Sequence, residues 1–122
     1  MKAGGVATTL TTSREQWDYP TGWAPLQWVT VVGLRNYGKL QLAKIIARRW
    51  NCENITGYRS SGTLIEKYDV VDDKSGGGGE YELQIGFGWT NGVLRSFRSI
   101  YPDLVSLPLP SCDLSRPSRL RP

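Results

Sequence analysis

The sequence predicts an all-α protein in which two layers of helices are joined by long glycine-rich loops. Residues 25–37 place apolar side chains on nearly every side of a helix, as is typical of a helix that is buried all round. After one glycine, Gly38, residues 39–51 follow with a single polar face. A buried helix joined to an amphipathic one is what an inner and an outer layer of helices require, as in a helical toroid.

Local signals set the ends of the first helix, and side-chain periodicity defines the faces of the second. Pro25 suits the first turn, where its missing N–H costs nothing, and Gly38 suits the position just after the last turn. The second helix has an apolar face formed by Leu40, Ala43, Ile46, Ala47 and Trp50. The opposite, polar face is formed by Gln41, Lys44, Arg48 and Asn51.

The rest of the chain is predicted to be mostly loop, with one further helix. Residues 4–16 and 55–65 show no helical or alternating period, so neither segment is expected to be regular. A last helix is expected to begin at Thr90 or Asn91 as its N-cap. Its buried face is formed by Val93, Leu94, Phe97, Ile100 and Tyr101. Residues 102–122 are rich in proline and arginine and are expected to be a disordered tail.

The composition excludes several kinds of active site. The chain has 122 residues, a net charge of +4 and no histidine, which excludes a Ser-His-Asp site and the usual zinc ligand sets. Any proton chemistry therefore falls to Asp and Glu side chains. Cys52 and Cys112 are interpreted as ordinary thiols, and the triplet Asn54-Ile55-Thr56 could accept a glycan in a secreted protein. No apolar run is long enough to span a membrane.

Glu66 and Glu80 bracket a run of four glycines, residues 76–79, in the most acidic part of the chain. Between positions 66 and 82 there are six carboxylates and two lysines, although the whole chain is basic. Crowded carboxylates raise the pKa of one another, which is how proteins obtain acids and bases for proton transfer. A glycine run of this kind is also typical of a surface linker, so composition alone leaves both interpretations open.

Residues 16–25 crowd three aromatic side chains, an acid and an amide around two prolines. Aromatic faces stack on the C–H face of a sugar, while carboxylates and amides bind its hydroxyl groups, so the stretch favours a sugar-binding loop. Trp17 and Trp23 could instead be core anchors at the start of a helix. For Trp23 we favour the core.

The same stretch, residues 16–25 with the sequence Q-W-D-Y-P-T-G-W-A-P, resembles one of the two signature patterns of the trehalases, which hydrolyse α,α-trehalose to two glucose molecules. Three further stretches resemble the glycine-rich C-terminal region of that family, in the same order. They are residues 66–70 (E-K-Y-D-V), 76–81 (G-G-G-G-E-Y) and 86–93 (G-F-G-W-T-N-G-V). The resemblance covers about residues 4–93.

This resemblance implies that residues 1–101 are the C-terminal portion of an (α/α)6 helical toroid that hydrolyses its substrate with inversion. Glu66 matches the family's general base, and Glu80 matches a sugar-binding glutamate. Trp17 and Asp18 match the aromatic wall and the polar floor of the sugar pocket. The expected partner is trehalose or a related disaccharide, with no cofactor, no metal ion, no nucleic acid and no membrane segment in this chain.

The resemblance does not extend to the family's general acid, an aspartate well upstream of this region, or to the arginines that clamp the sugar. The chain is therefore expected to be an incomplete catalytic domain that carries the base without the acid and is inactive alone. An alternative is a non-catalytic sugar-binding or regulatory remnant of a trehalase. A third hypothesis, an RNA-binding module with aromatic stacking platforms, is disfavoured because the acidic cluster would repel phosphates.

Overall fold

The computed structural model describes residues 1–13, 15–72, 74–75 and 80–104, and this part of the chain contains three α-helices. They are α1 (Ala24–Asn36), α2 (Leu40–Ser61) and α3 (Gly88–Ile100). A short 3-10 helix, Pro102–Leu104, follows α3. Helices α1 and α2 form a hairpin, and α3 packs against both of them. The glycine run at 76–79 and nearly all of the predicted tail lie outside the described residues.

The predicted α1 is confirmed to within one residue at each end. Pro25 lies in its first turn, as its fixed backbone angle and missing N–H require. Gly38 has a φ of 70°, a left-handed conformation that glycine adopts without a steric penalty. The N–H of Lys39 donates to the carbonyl of Leu34 over 2.8 Å, which closes the last turn.

The prediction that α1 is buried all round is wrong within this chain. Ala24, Gln27 and Val31 are buried, but Val29 is 65% exposed. The reason is that α2 and α3 pack on one side of α1 and leave another side uncovered. The apolar sequence of the helix therefore predicts a buried surface that the described residues do not cover.

Helix α2 extends ten residues beyond the predicted end, so the prediction of irregular structure over residues 55–61 is wrong. Gly57 explains the extension, because a Cβ at that position would lie 3.0 Å from the Tyr68 ring. The missing side chain lets the helix pack closely on this aromatic residue, and the burial gained outweighs weak local helix propensity. Gly62, with a φ of 75°, ends the helix.

Most of the predicted apolar face of α2 is confirmed, since Ala43, Ile46, Ala47 and Trp50 are buried. Two assignments are wrong: Leu40 is 56% exposed, and Asn51 is buried. Leu40 is the first residue of the helix, at the uncovered end of the hairpin. From Trp50 to Asn54 every residue is buried. This part of α2 is therefore covered on all sides and has no solvent-exposed polar face.

A small antiparallel sheet, which the sequence did not predict, lies beside the helices. Its strands are β1 (Thr21–Trp23), β2 (Lys67–Asp69) and β3 (Lys74–Ser75), in the order β1-β2-β3. Strand β1 runs directly into α1, and its residue Trp23 pairs with Lys67 of β2. The strands are too short to produce a visible period of two, so sequence periodicity could not reveal them. The sheet brings residues 21–23 and 67–69 side by side.

Helix α3 begins at Gly88, so the predicted N-cap at Thr90 or Asn91 is wrong. The hydroxyl of Thr90 is buried inside the helix and donates to the carbonyl of Ile65 over 2.8 Å. Residue Phe87 occupies the N-cap position without a side-chain hydrogen bond. The predicted inner face is confirmed: Val93, Phe97 and Tyr101 are buried, while Leu94 and Ile100 are half-buried.

A buried amide joins the N-terminal segment to the helices. Gln27 accepts a hydrogen bond from the Val6 N–H over 2.9 Å and donates to the Val6 carbonyl over 2.6 Å. Gly22 lies at the same point, where a Cβ would be 2.3 Å from Val70 Cγ1. Three segments are therefore closely packed at one point: the N-terminal loop, β1, and Val70, the residue after β2.

Two expectations for α2 side chains are corrected by the structure. Cys52 is disulfide-bonded rather than an ordinary thiol, and Cys112 lies outside the described residues. Asn54 is fully buried, and its amide donates to the Trp50 carbonyl over 2.7 Å, so the folded chain does not present it to a glycosylating enzyme. Among the described helices, none combines the length and the apolar character needed to cross a membrane.

Two glycine substitutions test this packing. We expect Gly22→Ala to destabilise the fold by about 1–3 kcal/mol, because its methyl group would collide with the Val70 side chain and neither backbone can retreat. The matched control is Gly92→Ala within α3, where a Cβ meets nothing within 4 Å and the gain in helix propensity is about 0.5–1 kcal/mol. Chemical denaturation measures both. Equal stability of Gly22→Ala and the parent chain would show that the described contact is wrong.

Candidate active site

The Glu66 carboxylate is fully buried. Its backbone N–H donates to the Gln84 carbonyl over 3.0 Å, which fixes the residue just before β2. Its Oε2 accepts a hydrogen bond of 3.0 Å from the Tyr81 hydroxyl. Its Oε1 is buried and accepts no hydrogen bond within the described structure. One oxygen is thus held and the other has unused acceptor capacity.

Lys67, the next residue, is also fully buried and lies beside that second oxygen. Its Nζ is 3.5 Å from Glu66 Oε1 and 3.5 Å from Gln16 Oε1. The same nitrogen lies 5.4 Å from the centre of the Trp23 ring and 4.9 Å from the centre of the Tyr81 ring. An ammonium group over aromatic faces is attracted by their negative π surface. The carboxylate therefore has a paired cation in a dry environment.

Gln16 connects this ion pair to the loop that carries Trp17. Its backbone carbonyl accepts a hydrogen bond of 3.3 Å from Trp23 Nε1, and its side chain binds the Tyr81 hydroxyl as well as approaching Lys67. Partial desolvation and the hydrogen bond to Glu66 raise the pKa of Tyr81, so its hydroxyl stays protonated as a donor.

Three tryptophans form a continuous aromatic wall next to Gln16. The rings of Trp17 and Trp23 stack with their centres 4.1 Å apart and their planes 10° apart. Trp89, from the start of α3, meets Trp23 edge-on at 5.6 Å and Trp17 at 6.5 Å. Trp23 is buried, as predicted for a core anchor, whereas Trp17 is 38% exposed. One face of Trp17 is covered by Trp23, so its exposed surface is available to a planar or sugar ligand.

Asp18 organises the loop that carries Trp17. Its carboxylate oxygen Oδ2 accepts hydrogen bonds from the backbone N–H of Ser13 and, over 2.7 Å, from the Ser13 hydroxyl. Its backbone carbonyl accepts the Thr21 N–H over 2.8 Å, just where β1 begins. Asp18 is buried. In the described structure it therefore fixes the shape of the loop.

Glu80 is exposed and forms a carboxyl pair with Glu15. The pKa of Glu15 is raised above its ordinary value of 4.5, first by a side-chain hydrogen bond to Glu80 and then by the charge of that residue. Slight burial and the charge of Asp18 add to the increase. Two carboxyl groups in this arrangement share a proton because both cannot ionise without repulsion.

Through contacts of their neighbours, the fold connects Glu66, Glu80 and Trp17, whereas the Asp18 carboxylate binds Ser13 of its own loop. Sequence reasoning missed Gln16, Lys67, Tyr81 and Trp89 as parts of one cluster. Each lies within a motif that was identified, and Gln16, Lys67 and Tyr81 lie next to a chosen residue. No periodicity could show that these side chains converge, because Gln16 and Lys67 are 51 residues apart.

A cavity of about 610 Å³ lies elsewhere and contains none of these residues. It is lined by residues of α2 and of the loops beside it: Glu53, Thr56, Gly57, Ser60, Ser61, Thr63, Ile65, Tyr68, Leu83 and Ile85. We place the site at the aromatic wall instead, because that is where a buried carboxylate, a cation and exposed aromatic surface meet. Within the described residues no group of three or more acidic or cysteine side chains is arranged to hold a metal ion.

Comparison with known proteins identifies the family. The trehalase family model matches residues 1–102 of the chain. The periplasmic trehalase of Pseudomonas aeruginosa is 51% identical over 102 residues, which are 83% of this chain and 19% of that protein. The trehalase of Tenebrio molitor is 50% identical over 98 residues, which are 77% of this chain and 18% of that protein. The chain spans about a fifth of the length of these relatives.

A solved structure agrees with the sequence matches. Neutral trehalase Nth1 from Saccharomyces cerevisiae superposes with a TM-score of 0.68 and 31% identity, over 91% of this chain and 20% of that chain. This likeness confirms the predicted fold class, a helical toroid of which the three helices described here form one portion. The chain belongs to the trehalase family of glycoside hydrolases.

Proposed function

We propose that this chain supplies the general-base part of an active site that hydrolyses α,α-trehalose to two glucose molecules with inversion. The observation that carries the proposal is the contact of the Glu66 carboxylate, through Tyr81 and Lys67, with the Gln16 loop that bears Trp17. In an inverting hydrolase one carboxylate removes a proton from water while a separate acid protonates the leaving oxygen. Glu66 has the first role.

The two oxygens of Glu66 support that assignment. Tyr81 donates to Oε2, whereas Oε1 is buried and accepts no hydrogen bond in the described structure. A buried acceptor without a donor is unfavourable unless a ligand or a water molecule completes it. In the proposed site the attacking water donates to Oε1, and the proton moves to that atom as the new C–O bond forms.

The surrounding side chains suit a disaccharide. The exposed face of Trp17 can stack on the C–H face of a glucose ring, with Trp23 and Trp89 holding it in place. Glu80 is exposed and can accept hydrogen bonds from sugar hydroxyls. Asp18 supports the sugar pocket by holding the Trp17 loop in shape.

The proposed reaction also needs a general acid, and no stretch of this sequence matches the motif that carries it in the family. The described carboxylates near Glu66 have other contacts: Asp18 binds Ser13, and Asp69 accepts hydrogen bonds from the N–H groups of Val71 and Asp72. The acid and the sugar-clamping arginines therefore have to come from the rest of a trehalase domain.

The first prediction about function concerns the activity of the chain with and without the rest of a trehalase domain. We expect the 122-residue chain alone to show no measurable trehalose hydrolysis, because a general acid contributes roughly 10²–10⁴-fold and sugar positioning contributes further. A chimera in which residues 1–102 replace the matching segment of the Pseudomonas aeruginosa enzyme should hydrolyse trehalose, measured by glucose release. A folded chimera that binds trehalose without turnover would favour the non-catalytic remnant instead.

The second prediction separates the two glutamates within the chimera. Glu66→Ala should lower kcat by roughly 10²–10⁴-fold with little change in KM, because it removes an interaction used in the transition state. Glu80→Ala should, in contrast, raise KM in addition to any effect on kcat. Azide should restore turnover to Glu66→Ala by attacking the anomeric carbon in place of water, with a β-glucosyl azide as product. If azide rescues Glu80→Ala instead, the two assignments are reversed.

The third prediction concerns the carboxyl pair of Glu80 with Glu15. Because the pKa of Glu15 is raised above 4.5 in the fold, the pair stabilises the fold below about pH 4.5, and this contribution is lost as the pH rises through the raised pKa. Glu80→Gln should return the pKa of Glu15 towards 4.5, as measured by carbon-13 NMR titration of the side-chain carboxyl groups. Glu82→Gln, a nearby exposed control, should leave it unchanged.

A further inference from the structure

Lys67 is a fully buried cation placed between two aromatic rings and beside the proposed base. Among the described residues, Glu66 is the one carboxylate in ion-pair contact with it. The Lys67 stem is held by pairing of its backbone with Trp23 across the sheet. Moving the ammonium group away from Glu66 would therefore break its contacts to both aromatic rings.

The position of the cation relative to the two carboxylate oxygens is specific. Nζ lies 3.5 Å from Oε1, the oxygen that accepts no hydrogen bond, while Tyr81 holds Oε2 at 3.0 Å. A hydrogen bond to one oxygen and an ion-pair contact at the other fix the plane of the carboxylate. The distance of 3.5 Å is loose enough that Oε1 keeps acceptor capacity for water.

We propose that Lys67 is a positioning residue for the general base: it holds the Glu66 carboxylate turned so that Oε1 faces the attacking water. This inference rests on the proposed function of Glu66 and adds a residue to it. Lys67 acts through the carboxylate and does not touch the substrate. Its contact with Gln16, 3.5 Å from Nζ, also ties the orientation of the base to the loop that carries Trp17.

A purely structural role explains a buried lysine poorly. Removing both charges from water carries a desolvation cost, and well-packed apolar residues of similar volume often stabilise a core as well as a buried ion pair or better. A lysine at this place is better explained by what its charge does to Glu66.

The test uses the active chimera with Lys67→Met, which removes the charge and keeps the apolar stem. We expect kcat to fall roughly 10- to 100-fold while KM stays nearly constant, because a misplaced base affects the transition state rather than sugar binding. Lys44→Met is the matched control: its partner is the exposed Asp103, at 2.8 Å, and its loss should leave kcat unchanged. Thermal unfolding of each variant reports the folded fraction.

A second measurement distinguishes positioning from a structural role. Azide needs no general base, so azide-supported turnover of Glu66→Ala should be equal, within about twofold, with and without Lys67→Met. If Lys67 only holds the fold together, the azide-supported rate falls along with the ordinary one. That result would overturn the inference.

The remaining outcomes are also decisive. If Lys67→Met does not fold, Lys67→Gln replaces it, because it also removes the charge but with a polar, uncharged side chain, and a loss of kcat in the same direction is expected. An unchanged kcat in a variant that folds overturns the role of Lys67 and leaves Glu66 as base. Full activity of Glu66→Ala without azide, in contrast, overturns the proposed function and this inference together.

Discussion

The arrangement of the site depends on one buried ion pair, Lys67 with Glu66. A cation taken out of water is stable only where oxygens and aromatic faces replace its hydration shell. Here those groups come from three parts of the chain: the loop with Gln16 and Trp23, the start of β2, and Tyr81 after the glycine run. Satisfying one ammonium group therefore fixes three segments relative to one another.

Helices α2 and α3 fix the backbone next to this pair. Thr90 of α3 donates to the Ile65 carbonyl, and the Ile65 N–H donates to the Tyr68 hydroxyl over 3.3 Å. Burial raises the pKa of Tyr68 to about 12, so this hydroxyl stays protonated at physiological pH. Tyr68 in turn packs on Gly57 of α2. The proposed base thus belongs to a short segment that contacts both α2 and α3.

A site divided between distant segments suits inverting hydrolysis. The base and the acid act on opposite sides of the scissile bond, with carboxyl groups about 6.5–9.5 Å apart, so nothing requires them to share a stretch of sequence. In this chain the proposed base Glu66, the aromatic wall and the proposed sugar-binding residue Glu80 lie on segments that contact one another. The side of α1 that is marked by Val29 is exposed in the described structure.

The sequence by itself determined the features that depend on local chemistry. Pro25 and Gly38 act within one helical turn, so they fixed the ends of α1, and the period of Ala43, Ile46, Ala47 and Trp50 fixed the inner face of α2. The motifs around Trp17 and Glu66 identified the family, because they are runs of particular residues that need no folded context to be recognised.

Only the tertiary structure decided the features that depend on contacts between distant segments. The extension of α2 needs Gly57 against Tyr68, the burial of Thr90 needs the Ile65 carbonyl, and the sheet needs β1 beside β2. The same holds for the pairing of Lys67 with Glu66 in a closed environment. A lysine next to a glutamate is ordinarily a solvated surface pair, and it becomes a buried one here because Trp23 and Tyr81 exclude water from it.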